Sequence, residues 1–270
     1  MIESYQLTQG DTPLLISMPH AGTALTPEVE AGLNKAALSL ADTDWHIPKL
    51  YNFAAELGAS RIEARYSRYV IDLNRPESDT PLYTGATTGL FPSTDFDGEP
   101  LFEEGKEPTK AQRDWAKEHV WRPYHNALAG ELARLKARFG YALLFDAHSI
   151  RSKIPRLFDD QLPDINLGTF EEQSCNPELS QRLLTVCAAQ SRFSHVINGR
   201  FKGGHITRSY GDPTNHIHAV QLELSQRTYM NEPCDEQPIF AYREDRAAEV
   251  RPLLRELLEA MQRWGEVRGC

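Results

Sequence analysis

This chain of 270 residues has little cysteine, no long apolar run and a deficit of positive charge, and each shortage removes a class of function. Its four cysteines, Cys175, Cys187, Cys234 and Cys270, are widely spaced with no CxxC pair, which fits reduced thiols rather than a disulfide framework or a thiolate zinc site. Any metal must then be held by histidine and carboxylate. No stretch approaches the roughly 18 apolar residues of a membrane span. The opening MIESYQLTQG lacks the basic and apolar regions of a secretory signal, so a cytoplasmic protein is expected, with no membrane partner. Lys and Arg number 29 against 38 Asp and Glu, a formal charge of -9, so the basic field of a nucleic-acid binder is missing. An anionic small molecule could still bind, but only through locally placed arginines. Neither GxGxxG nor GxxxxGK[ST] occurs, and no GxSxG elbow supports a serine hydrolase built on Ser149.

What is present is an ordinary globular composition, 40% hydrophobic and 25% charged, which excludes intrinsic disorder and is long enough for one large core. We expect one domain over residues 1–270. Apolar runs at Leu14 to Met18, Arg68 to Leu73, Tyr141 to His148 and His218 to Leu224 read as strands. Helical periodicity appears from Trp45 to Leu57, from about Thr109 to Arg138 with Gly140 as its stop, from Asn176 to Ala189 and from about Tyr242 to Trp264. Alternating strands and helices predict a three-layer α/β fold, a mostly parallel mixed sheet with helices on both faces. Two long loops, Asp79 to Pro108 and Gly199 to Asn215, are candidates for site walls.

In such a sheet ligands bind beyond the carboxyl ends of the strands, so the residues just past each strand matter most. Leu14 to Met18 runs into Pro19-His20, Tyr141 to Phe145 into Asp146-Ala147-His148, and Arg68 to Ile71 into Asp72-Leu73-Asn74-Arg75. Two histidines on rigid strand ends suit Zn²⁺, whose catalytic sites take three protein ligands and leave one position open. The third ligand would come from Asp42-Thr43-Asp44, where one aspartate could equally serve as N-cap of the Trp45 helix. Glu223, between Leu222 and Leu224, should face away from both, and a carboxylate inside a sheet is costly unless it is paired or working. It suits a general base. Arg68, Asn74 and Arg75 near the same crevice point to an acidic substrate, because the guanidinium fork matches a carboxylate. Gly203-Gly204-His205-Ile206-Thr207-Arg208 adds a glycine-hinged loop, suited to closing on an anion, in which His205 and Arg208 are candidate substrate ligands. His216 and His218 would share one face of a strand, as a second metal pair or as ordinary polarity.

Several ordered segments together resemble the N-formylglutamate amidohydrolases of histidine degradation: SMPHAGTALTPEV from Ser17, LADTDWHIPKLY from Leu40, SRYVIDLNRP from Ser67, LYTGATTGLFP from Leu82, LLFDAHSI from Leu143, INLGTFEEQSC from Ile165, GRFKGGHITRSYG from Gly199 and QLELSQRTYM from Gln221. The resemblance implies a fold similar to zinc carboxypeptidases and aspartoacylases, with one Zn²⁺ held by His20, an acidic residue and His148. Asp44 is the acidic residue carried over, with Asp42 open as the alternative. It further implies that Asn74-Arg75 recognises a carboxylate or polarises the carbonyl and that Glu223 is the general base. The expected reaction is hydrolysis of N-formyl-L-glutamate to formate and L-glutamate, with Arg75 or Arg68 stabilising the oxyanion. The alternative is a related zinc amidohydrolase acting on another N-acyl amino acid or a peptide C-terminus, differing in the walls at Leu82 to Pro100 and Gly199 to Asp212.

Overall fold

The computed structural model describes residues 2–81, 87–233 and 237–268. Cys234, Cys270 and part of the wall beginning at Leu82 therefore lie outside the described residues. A seven-stranded sheet runs through the molecule in the order β1-β3-β2-β4-β7-β5-β6. Its centre is four parallel strands, β3 (Ser60–Ala64), β2 (Leu14–Met18), β4 (Ala142–Ile150) and β7 (Ile217–Ser225). β1 (Tyr5–Thr8) closes one side antiparallel to β3, while β5 (Ile165–Gly168) runs antiparallel to β7 and carries β6 (His195–Ile197) on its outer edge.

β2 and β4 are buried on both faces, and the alternation of side chains sorts the residues of the central strands into two apolar layers. Leu14, Ile16, Met18, Leu143, Phe145, Val220 and Leu222 pack on one face beneath α5 (Pro177–Ala188) and α7 (Glu244–Arg268), against Leu179, Leu183, Leu254 and Leu257. Leu15, Ala142, Leu144 and Ala219 face the other way, against Tyr124, Leu128, Leu132 and Leu135 of α4 (Arg122–Phe139). These helices on both sides make the three layers expected. Among the described residues no helix is long and apolar enough to cross a membrane.

The long helix begins with a capping box in which Thr109 and Gln112 satisfy each other's backbone N–H, and Gly140 ends it at φ +85°. Its course is α3 (Lys110–Ala116), a π-helical turn over Lys117–Trp121, and then α4. Two expectations are corrected. The segment Arg68 to Leu73 is not a strand: Val70 N–H closes a turn on Ser67, Asp72 N–H bonds Leu90, and Arg68 pairs with Asp72 one turn on. Its apolar residues are buried in the second core layer all the same, and a short apolar run reports burial without specifying a ladder partner. The helix expected from Trp45 to Leu57 is a single turn, α2 (Ile47–Leu50), followed by a 3₁₀ turn over Asn52–Ala55. The left-handed backbone of His46 starts it, so neither Asp42 nor Asp44 serves as its cap. The strands β1, β5 and β6 carry too few residues for a readable pattern, and β3 breaks its apolar residues with Arg61 and Glu63. The second loop also contains a short helix, α6 (His205–Tyr210), and α1 (Pro27–Gly32) lies near the start of the chain.

Candidate metal centre and active site

Strand register assembles most of the site. On β4 and β7, Asp146 lies beside Gln221 and His148 beside Glu223, all four on the face opposite Phe145, Leu222 and Leu224. On the other flank of β4, Ser17 of β2 is level with Asp146 and donates its hydroxyl to Asp146 Oδ1 at 3.0 Å. His20 comes just after β2, and its carbonyl accepts the N–H of Asp44 at 3.1 Å, which pins the two residues side by side. The alternation that places Glu223 away from its leucine neighbours is thus observed, on an interior strand rather than an edge.

His20, Asp44 and His148 converge, all buried, with one ligand atom from each lying within 4.8 Å of the others. Asp44 Oδ2 stands 3.1 Å from His148 Nδ1 and 3.7 Å from His20 Nδ1. The outer nitrogens are tied back. His20 Nε2 donates to Asp72 Oδ1 at 2.7 Å, and His148 Nε2 to Asp146 Oδ2 at 3.0 Å. A carboxylate on the far nitrogen leaves Nδ1 of each ring as the atom turned toward Asp44 and offered to a metal, the arrangement expected behind a histidine metal ligand. The donor set, two imidazoles and a carboxylate in a closed pocket, fits Zn²⁺. Asp42 is elsewhere: its Oδ2 accepts Phe96 N–H, and burial pushes its carboxyl up to about 6. Of the two aspartates, it is Asp44 that stands beside both histidines.

The charges around the triad are balanced in pairs. Burial alone would raise Asp72, but Arg68, with Nη2 at 2.6 Å from Oδ2, together with His20 and Arg75 holds it well below the usual carboxylate range. Burial, then the nearby Arg68, lowers His20 and keeps it neutral. For His148 burial acts downward, and the carboxylates of Asp146 and Asp44 outweigh it and raise it well above an ordinary imidazole. A cation entering the triad would displace that proton. Glu223, fully enclosed, is pushed by burial up to about 8.

A pocket opens beside the triad, lined by His20, His148, Glu223, Arg75, Arg200 and the apolar side chains Phe96, Ile150, Leu157 and Phe201. Arg68 and Asn74 line it as well, but each is already engaged. Arg68 is bonded to Asp72 and stacked on the Phe96 ring, 4.7 Å from its centroid. Asn74 Oδ1 accepts Ile206 N–H at 2.8 Å, while its amide nitrogen lies 3.0 Å from His148 Nε2. Arg75 Nε donates to Thr88 O and Nη2 to the Thr88 hydroxyl, so its guanidinium is held at the pocket wall. Gly204 is required here, since a Cβ would lie 2.3 Å from Asn74 Nδ2.

His205 and Arg208 are not brought to the pocket. His205 packs toward Trp121 and His125, and the Arg208 guanidinium sits over the Phe170 ring, its Nε donating to Gly203 O. The loop supplies Arg200 in their stead, a residue without a sequence signal because a lone Arg beside Gly199 has no telling spacing. Asp72 and Asp146 were also missed as working residues. Each lies two residues before a recognised one, and in Asp146's case that spacing on a strand was the available clue. His218 Nδ1 accepts Asn176 N–H and its ring meets Trp264, so no second metal pair forms with His216. Ser149 bonds Tyr229 and Gln226 rather than a histidine.

The chain has clear relatives. A model of the family described as N-formylglutamate amidohydrolase matches residues 12–230. A Pseudomonas aeruginosa protein named N-formylglutamate deformylase is 61% identical over 268 residues, 99% of each chain. One of the same name from Pseudomonas putida is 61% identical over 260 residues, 96% of each. Among solved structures, N-formylglutamate amidohydrolase from Ralstonia eutropha superposes with a TM-score of 0.80 at 23% identity, covering 100% of both chains. An Agrobacterium tumefaciens gene product gives 0.72 at 18% identity, over 96% of this chain and 95% of that one. These two likenesses concern the fold.

Proposed function

The chain belongs to the N-formylglutamate amidohydrolase family, and from that premise we propose that it hydrolyses N-formyl-L-glutamate to formate and L-glutamate, using one Zn²⁺ held by His20, Asp44 and His148. The observation that carries the reading is the meeting of a buried histidine-carboxylate-histidine triad with Glu223 and three arginines around one pocket. A cation at the triad supplies a Lewis acid that makes water a competent nucleophile at neutral pH. Glu223 takes the proton from the attacking water as its oxygen bonds to the formyl carbon. It then delivers that proton to the glutamate nitrogen as the C–N bond breaks, releasing formate and the amine. Burial suits Glu223 to both directions, since a carboxyl with a raised pKa both accepts and returns a proton near neutrality.

Arg75, its guanidinium held at the pocket wall by Thr88, binds one substrate carboxylate through the planar fork that matches it. Arg200, which lines the same pocket with its guanidinium over the Phe201 ring, answers the other substrate carboxylate. Arg68 acts one step back, by holding Asp72 and through it His20. Binding energy from the carboxylates then goes into orienting the small formamide, which offers little else to grip. We take residues 1–270 as one amidohydrolase domain, since one seven-stranded sheet runs through the described residues. We place the protein in the cytoplasm, in keeping with the free, buried thiols of Cys175 and Cys187.

The test is formate release from N-formyl-L-glutamate before chelation, after chelation and after zinc is restored, with N-formyl-L-aspartate and N-acetyl-L-glutamate alongside. Chelator-sensitive turnover that prefers N-formyl-L-glutamate is expected. A zinc-loaded protein that instead prefers another acyl amino acid would move the substrate assignment to that compound.

A further inference from the structure

The long helix is interrupted by a π-helical turn at Lys117–Trp121, and π-turns inside long helices concentrate at functional positions. The turn presents an aromatic pair spaced one helical turn apart. Trp121 and His125 stack at 3.8 Å between ring centroids, and both deliver an N–H to the segment that carries Asn74 and Arg75. Trp121 Nε1 donates to Arg75 O at 3.0 Å, and His125 Nε2 donates to Leu73 O at 2.9 Å. Asn74 is thereby held from both sides, its side chain bridging Ile206 N–H and the edge of His148. His125 is locked in the donating tautomer because its other nitrogen is 2.9 Å from the Tyr210 hydroxyl, which can donate to it. Burial pushes the imidazole down to about 3, so it stays neutral. His205, left without a place in the pocket, packs its ring 5.9 Å from Trp121 and 5.4 Å from His125 and completes the cluster.

We infer that Trp121 and His125 are positioning residues for substrate recognition: through the carbonyls on either side of Asn74 they set where the Arg75 guanidinium stands in the pocket. The inference rests on the function proposed above. Neither ring lines the pocket, so each acts through Arg75 rather than on the substrate. Losing one neutral N–H donor should displace Arg75 without emptying the metal triad, and the effect belongs in substrate binding rather than in proton transfer.

Trp121→Phe keeps an aromatic ring and deletes the donor. The expected result on the zinc-loaded protein is a rise of about tenfold in KM for N-formyl-L-glutamate, kcat within about twofold and zinc content unchanged. In an Arg75→Ala background the same change should have less than about a twofold effect, since residues acting through one another are not additive. His125→Gln, whose amide can still donate, should retain KM where His125→Leu raises it. Equal effects of Trp121→Phe in both backgrounds, or a lowered Tm with KM unmoved, would reduce the pair to core packing. Calorimetric titration with L-glutamate separates the two claims. A wild type that neither turns over N-formyl-L-glutamate nor binds L-glutamate overturns the functional reading and this inference with it. A wild type that does both, with Trp121→Phe matching it in KM and glutamate affinity, overturns the inference alone.

Discussion

Replacing Glu223 by Gln should make the protein more stable and nearly inactive at once. Burial raises the folded pKa of Glu223 to about 8 from an unfolded value near 4.5. Between those values the unfolded chain has released a proton that the folded chain still holds. Stability therefore falls as pH rises through this window. The cost is absent below about pH 4, reaches about 1 kcal/mol at pH 5 and about 3 kcal/mol at pH 7, and levels off at roughly 4 to 5 kcal/mol above pH 8. Gln has the same shape and no charge, and its carbonyl can still accept from Gln221 Nε2, which stands 3.4 Å from Glu223 Oε2. In chelated protein the advantage of Glu223→Gln, read as the urea midpoint times the m-value, should grow by about 3 kcal/mol between pH 5 and pH 8. In zinc-loaded protein the same substitution removes the group that moves the proton, and kcat should drop by about 10² to 10⁴ with zinc retained. A stability advantage independent of pH would refute the buried-carboxyl argument, and turnover close to wild type would refute the general-base role.

Asp44→Asn should lose most of its zinc by elemental analysis, while Asp42→Asn keeps it, because only Asp44 shares the space between the two imidazoles. Equal retention in both would remove Asp44 from the ligand set. Asp146→Asn weakens the grip on His148 Nε2 and should lower zinc affinity by about 10- to 100-fold in a chelator competition; unchanged affinity would mean that the Asp146 contact does not orient the ring. Arg200→Ala should raise KM for N-formyl-L-glutamate by about tenfold or more and leave hydrolysis of an uncharged formamide unaffected, whereas Arg208→Ala, over Phe170 and away from the pocket, should do much less. The reverse order would restore Arg208 to the substrate.

The chemistry of the site was written at the ends of three strands. His20, His148 and Glu223 could be picked out because β2, β4 and β7 are buried almost throughout, so a polar residue among their apolar neighbours stands out against a clear background. Arg75 was visible for the same reason, next to an apolar stretch that is buried even though it forms no strand. Which aspartate joins the histidines was not visible, because Asp42 and Asp44 differ by two residues in a loop, and it is the hydrogen bond from Asp44 N–H to His20 O that separates them. Arg200 and Arg208 likewise sit on one loop with similar neighbours, and the side that each faces depends on Gly203, whose φ of +115° turns the chain before α6 begins.

By itself, then, the sequence determined the layer architecture, three of the four central parallel strands and the residue types of the site, because burial and alternation act locally and leave a period in the chain. Tertiary structure alone decided the pairing of Asp72 with His20, the meeting of Asp44 with His148, the placement of Arg200, and the aromatic brace behind Asn74. Those contacts join residues far apart in the chain, and their geometry is set by strand register and by the π-turn ahead of α4, neither of which leaves a local pattern to read.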